Sequence, residues 1–150
     1  MTIETVINQQ IANWNVVYTK LHHFHWFVKG PHFFTLHAKF EELYEEAAAV
    51  IDEMAERLLT IGGTPIASLK QYLELATMDE AAEMVSAEEM VSAEEMVKTL
   101  VKDFSLIIDE LKAGIEVAEQ NNDQVTADLF LGLIGKLDKH NWMLNSFLGK

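Results

Sequence analysis

A chain of 150 residues with 49% apolar side chains, no cysteine and a formal net charge of −13 can bury one core but can form neither a disulfide nor a thiolate metal site. So acidic a surface repels nucleic acid and anionic membrane and attracts cations. No apolar run nears the ~20 residues of a membrane-spanning helix, and Met1-Thr2-Ile3-Glu4 lacks the basic, then apolar, opening of a secretory signal, so a cytoplasmic location is expected. No Lys or Arg precedes Lys20, and Lys136, Lys139 and Lys150 do not amount to a basic tail.

The first helix is expected from about Thr2 to Lys29. Ile7, Ile11, Trp14, Tyr18, Leu21, His25 and Val28 recur in steps of four and three, which draws one stripe along a helix. Gly30-Pro31 ends it, because proline cannot continue a helix. The second helix is expected from about Thr35 to Ile61, its core stripe being Leu36, Phe40, Leu43, Ala47, Val50, Met54, Leu58 and Ile61, and Gly62-Gly63-Thr64-Pro65 stops it. A short helix near Ser68 to Ala76 bridges to the second half. A third long helix runs from Ser86 or Ser92 to Gln120, with Leu100, Phe104, Ile108, Leu111, Ile115 and Ala118 inward. A fourth spans about Asp123 to Leu148, with Leu129, Leu133, Leu137, His140, Leu144 and Phe147 inward. The expected fold is therefore all-α: one ferritin-like four-helix bundle over 1–150 with a short extra helix in the long second-to-third crossover.

Within that crossover Ser86-Ala-Glu-Glu-Met-Val91 is repeated unchanged as Ser92-Ala-Glu-Glu-Met-Val97. Six residues turn a helix by about 600°, so the copies share no face and build no common stripe. Each serine followed three residues later by glutamate is a capping box, so either copy can start the third helix. The repeat reads as a local duplication without functional content.

The second helix carries the chemistry. Relative to its core stripe, His37, Glu41, Asp52 and Glu56 fall at roughly 100°, 140°, 160° and 200°, on the face opposite the core. His37 and Glu41 are one turn apart, as are Asp52 and Glu56, so each pair can grip one metal ion. The pairs lie about 22 Å apart along the axis, too far for one site. A two-fold axis near residues 46 and 47 would bring His37 and Glu41 of one chain beside Asp52 and Glu56 of another, giving two identical sites per dimer. Ala47, Ala48 and Ala49 sit near that crossing, where small side chains allow close approach. Imidazole with carboxylate donors suits ferrous iron, and oxygen donors suit the ferric product. The Glu-x-x-His signature of bundle-core di-iron centres is missing, which disfavours an intrasubunit centre. A polar helix face is more often merely solvated. His25 lies on an apolar stripe where a hydrogen-bonded core histidine is the commoner outcome, His22 and His23 face solvent or structure, Trp26 by spacing alone reads as packing, and Tyr44 is ambiguous for the same reason.

His22-His23-Phe24-His25-Trp26-Phe27-Val28-Lys29-Gly30, Phe33-Phe34-Thr35-Leu36-His37, Phe40-Glu41-Glu42-Leu43-Tyr44, Asp52-Glu53-Met54-Ala55-Glu56-Arg57-Leu58-Leu59 and Asp138-Lys139-His140-Asn141-Trp142-Met143 together resemble the Dps family (DNA-binding proteins from starved cells). The resemblance covers nearly the whole chain outside the repeat. It implies a ferroxidase: a di-iron site made of His25, His37 and Glu41 from one subunit with Asp52 and Glu56 from its two-fold mate, and Trp26 beside it intercepting oxidising equivalents. The family often has Asp where this chain has Glu41. It further implies a homo-oligomer of twelve subunits built from dimers, hydrogen peroxide (or O2) as oxidant, and storage of iron as ferric mineral. Glu119, Asp123 and Asp128 match the acidic lining of a three-fold ion-entry pore, although that segment alone reads as an ordinary polar turn. DNA binding, which the family name promises, is not expected here, because the charge is wrong and no basic arm is present. The competing readings are a DNA-condensing structural shell and a shell that sequesters divalent metal without redox turnover.

Overall fold

The computed structural model describes residues 1–82 and 91–150. They form α1 (Ile3–Phe27), α2 (Phe33–Thr60), the short α3 (Leu69–Leu75), α4 (Ala93–Gln120) and α5 (Gln124–Phe147), and the described residues contain no strand. α1 lies along α2 and α4 along α5, and α1 also meets α3 and α4. This is the expected four-helix bundle with a short helix in its crossover. No described helix is long and apolar enough to cross a membrane.

The boundaries follow local chemistry. Thr2 starts α1 by accepting the Thr5 N–H at 3.1 Å, and Asp123 starts α5 by accepting that of Thr126 at 3.0 Å. Of the two serines able to open α4, Ser92 does so, its Oγ accepting the Glu95 N–H at 3.2 Å; Ser86 lies outside the described residues. Gly30, with φ +106, turns the chain between α1 and α2, a conformation in which a Cβ is strained.

The expected stripe of α2 is buried from Leu36 to Leu58. Ile61 departs from it: the helix ends at Thr60, so Ile61 is the cap and 39% exposed. Ala47 faces the core, which leaves Ala48 and Ala49 as the exposed small residues at mid-helix. On α5 the core is completed by Phe130 and Ile134, while Leu129 and His140 are only half-buried. α1 is buried well beyond its stripe, polar side chains included. Lys20 meets Asp103 of α4 at 2.8 Å with side chains 3% and 7% exposed. The Asn13 amide donates to Glu110 at 2.9 Å, and its carbonyl accepts the Thr77 N–H at 2.8 Å.

Candidate metal centre

The α1–α2 turn folds the end of one helix against the start of the next and brings two imidazoles together. His25 Nδ1 lies 2.6 Å from the His37 carbonyl oxygen, and His37 Nδ1 lies 2.7 Å from that of His25. A carbonyl can only accept, so each Nδ1 carries a proton, and Nε2 is the ring nitrogen left to offer a lone pair to a metal ion. Locking one ring nitrogen with a backbone acceptor is how proteins orient a metal-binding imidazole. The rings stack with centroids 3.7 Å apart and planes 12° from parallel, and Phe33 covers His37 at 4.8 Å. His25 is 7% exposed. The core-histidine reading thus describes how His25 is held, while its Nε2 makes no hydrogen bond among the described residues.

Glu41 follows His37 by one turn and is exposed. Its Oε1 accepts the Tyr44 O–H at 3.2 Å, a long contact for two oxygens. Desolvation of the phenol and the Glu41 carboxylate beside it hold the Tyr44 hydroxyl above its usual range, so it stays a donor. The Tyr44 ring stacks on His22 at 3.8 Å and meets His25 edge-on at 5.4 Å and Tyr18 at 6.1 Å. His22 is fixed in turn by its Nδ1, 2.9 Å from the Tyr18 carbonyl oxygen. Trp26 sits 5.4 Å from His22 with 65% of its surface exposed.

Asp52 and Glu56 are exposed on the far half of α2. Because α2 is continuous from Phe33 to Thr60, they stay about 22 Å from His37 and Glu41 within one chain. Accordingly, no group of three or more His, Asp or Glu able to hold a metal ion forms among the described residues of one chain. The chain stacks two imidazoles at the start of α2, with exposed Glu41 one turn on, and leaves two carboxylates on the far half of the helix.

Glu119, Asp123 and Asp128 flank the α4–α5 corner. Glu119 and Asp128 are exposed. The Asp123 carboxylate is engaged, capping α5 and pairing with the Arg57 guanidinium at 2.9 Å. Burial pushes this carboxyl up, but the hydrogen bonds from Thr126 and the Arg57 charge outweigh it, and the net displacement is downward. Arg57 also donates to Thr126 Oγ1 at 3.0 Å. It therefore ties the end of α2 to the start of α5. Sequence reasoning missed this tie and the aromatic box around Tyr44. The spacing Tyr18, His22, Trp26 on one face of α1 was the available signal for the box.

Against known proteins, the ferritin-like domain family matches residues 4–150. DNA protection during starvation protein 2 of Bacillus anthracis is 52% identical over 97% of this chain and 95% of its own. The crystal structure of Dps from Staphylococcus aureus superposes with a TM-score of 0.91 at 49% identity, covering 97% of this chain and 94% of that one. Two histidine-to-glycine mutants of Listeria innocua Dps, altered at positions twelve apart, superpose with a TM-score of 0.95 at 39% identity; each covers 100% of this chain, with 95% and 97% of theirs covered.

Proposed function

Since the chain belongs to the Dps family of ferritin-like proteins, we propose that residues 1–150 work as one ferritin-like domain of a ferroxidase and iron store. The observation that carries the reading is the pair of imidazoles locked through Nδ1, with Glu41 one turn along α2 from His37 and, among the described residues of one chain, no group that supplies the further donors a ferrous ion needs. A two-fold mate supplies them: antiparallel crossing of two α2 helices near Ala48 and Ala49 sets Asp52 and Glu56 of one protomer against His25, His37 and Glu41 of the other. The twelve-residue interval between the histidines replaced in the Listeria innocua mutants equals that between His25 and His37.

Iron is the substrate. Two ferrous ions at a shared site give one electron each to hydrogen peroxide, the O–O bond breaks, and hydrolysis of the ferric product releases four protons per two ferric oxyhydroxide units, without hydroxyl radical. Neutral imidazole and carboxylate favour ferrous entry, and the carboxylates suit the ferric product. Trp26, near the site and exposed, is placed to take up a stray oxidising equivalent. Exposed Glu119 and Asp128, with Asp123 between them, draw cations towards an entry path. The assembly proposed is a dodecamer built from six dimers in the cytoplasm, protecting by removing iron and peroxide rather than by coating DNA, since a protein of net charge −13 repels phosphate.

Anaerobic apo-protein mixed with ferrous iron, then with peroxide or air in parallel, tests the reading by stopped-flow ferric absorbance. Fast oxidation at two ferrous ions per peroxide, slower in air, is expected. Rates equal to a protein-free control would move the function to metal sequestration, and a gel shift of DNA at moderate salt would move it to DNA condensation.

A further inference from the structure

We infer that Tyr44 is a positioning residue of the shared metal site, its phenol holding the Glu41 carboxylate in the direction the two imidazoles require. The inference rests on the ferroxidase reading of His25, His37 and Glu41 and adds to it a residue that touches none of the reacting atoms.

Glu41 is the one ligand candidate on the histidine side with no backbone lock. His25 and His37 are each fixed by a carbonyl, whereas the Glu41 side chain is long and exposed and loses rotamer freedom when it binds metal. Tyr44, one turn on, is the group that restrains it, donating its O–H to Oε1 at 3.2 Å. Tyr44 is itself immobilised on three sides, by the stacked His22, by the edge of Tyr18 and by His25. His22 gains its orientation from the Tyr18 carbonyl. A chain of contacts therefore runs from the α1 backbone through His22 and Tyr44 to a carboxylate on α2. A hydrogen bond to one carboxylate oxygen leaves the other free for a metal ion, and restraint before binding improves affinity by reducing the ordering cost. The long arm of Glu41 is what puts its carboxylate within reach of the phenol; aspartate here ends one methylene short.

The test is a double-mutant cycle on the assembled protein with Co(II) as the probe, reading affinity by calorimetry and ligand geometry from the visible d–d bands. Tyr44→Phe keeps the ring in its aromatic box and removes only the hydroxyl. It should weaken Co(II) binding about three- to tenfold, the size of one modest hydrogen bond, and alter the d–d spectrum. In a Glu41→Asp background the same substitution should change neither, because the contact is already lost. His22→Ala, which frees the phenol by a different route, should reproduce part of the loss. Native affinity and spectrum in Tyr44→Phe, or equal losses in both backgrounds, would overturn the inference. A His37→Gly chain that still bound Co(II) like the native protein would instead remove the site on which it rests.

Discussion

At the scale of residues, Lys20 and Asp103 form the most deeply buried ion pair among the described residues. With both side chains almost fully buried, removing one partner strands a charge, which typically costs 3–5 kcal/mol. Asp103→Ala should therefore lower thermal stability sharply, while the joint change Lys20→Met with Asp103→Leu should stay within about 1–2 kcal/mol of native. Gly114 is a steric counterpart. A Cβ there would lie 2.7 Å from Val6 Cγ1 and 2.9 Å from Phe130 Cε2, so α4 approaches both α1 and α5 through a glycine. Gly114→Ala should cost about 1–3 kcal/mol, read as a fall in Tm at fixed protein concentration. Neither position was legible in the sequence. Lys20 looks like any surface lysine until the fold brings Asp103 across from it, and Gly114 looks like a helix weakener until two neighbours close on it.

At the scale of elements, periodicity carried most of the information. The expected helices end within about two residues of the observed ones, because the apolar spacing and the Gly30-Pro31 and Gly62-Gly63 breaks are local signals. The exceptions have local causes as well. Ile61 continues the stripe in register, but the helix stops one residue before it. Phe130 and Ile134 were passed over because Leu129 and Leu133 draw an equally regular stripe, and only packing shows how far α5 is rotated. Two serines could cap α4, and Ser92 does; Ser92→Ala should cost about 1 kcal/mol, visible in thermal unfolding. Where α2 meets α5, burial raises the Asp123 carboxyl, but the hydrogen bonds from Thr126 and then the Arg57 charge outweigh it and hold it below its ordinary value. A depressed carboxyl contributes stability above its unfolded pKa of about 3.9 and loses it as pH falls through the native value. Arg57→Gln should therefore lower Tm clearly at pH 7, and the gap to the native protein should narrow towards pH 3. The Glu46 carboxyl, lowered first by its contact with His140 Nε2 at 2.7 Å, adds to the same acid limb.

For the whole molecule, the proposed site predicts complementation between defective chains. One variant carries His37→Gly; another carries Asp52→Asn and Glu56→Gln. Each alone should oxidise iron no faster than the buffer. In shells co-assembled from equal amounts, half the dimers are mixed, and each mixed dimer has one site with every ligand intact and one with all defects. About a quarter of native activity should return. No recovery in shells shown by mass to be mixed would mean that the ligands do not come from two chains.

The amino-acid sequence alone determined the helices, their order and the face of α2 on which His37, Glu41, Asp52 and Glu56 gather, because helical periodicity and turn residues act over a few positions. The Dps resemblance could be read from contiguous blocks for the same reason. Tertiary structure decided what depends on residues distant in the chain. It set two imidazoles in a stack and fixed both tautomers through backbone carbonyls twelve residues away. It enclosed Tyr44 beside Glu41, and it turned Arg57 towards Asp123. Hydrogen bonds and ring contacts are made at a few ångströms between side chains on different helices, and no one-dimensional pattern records which of them will meet.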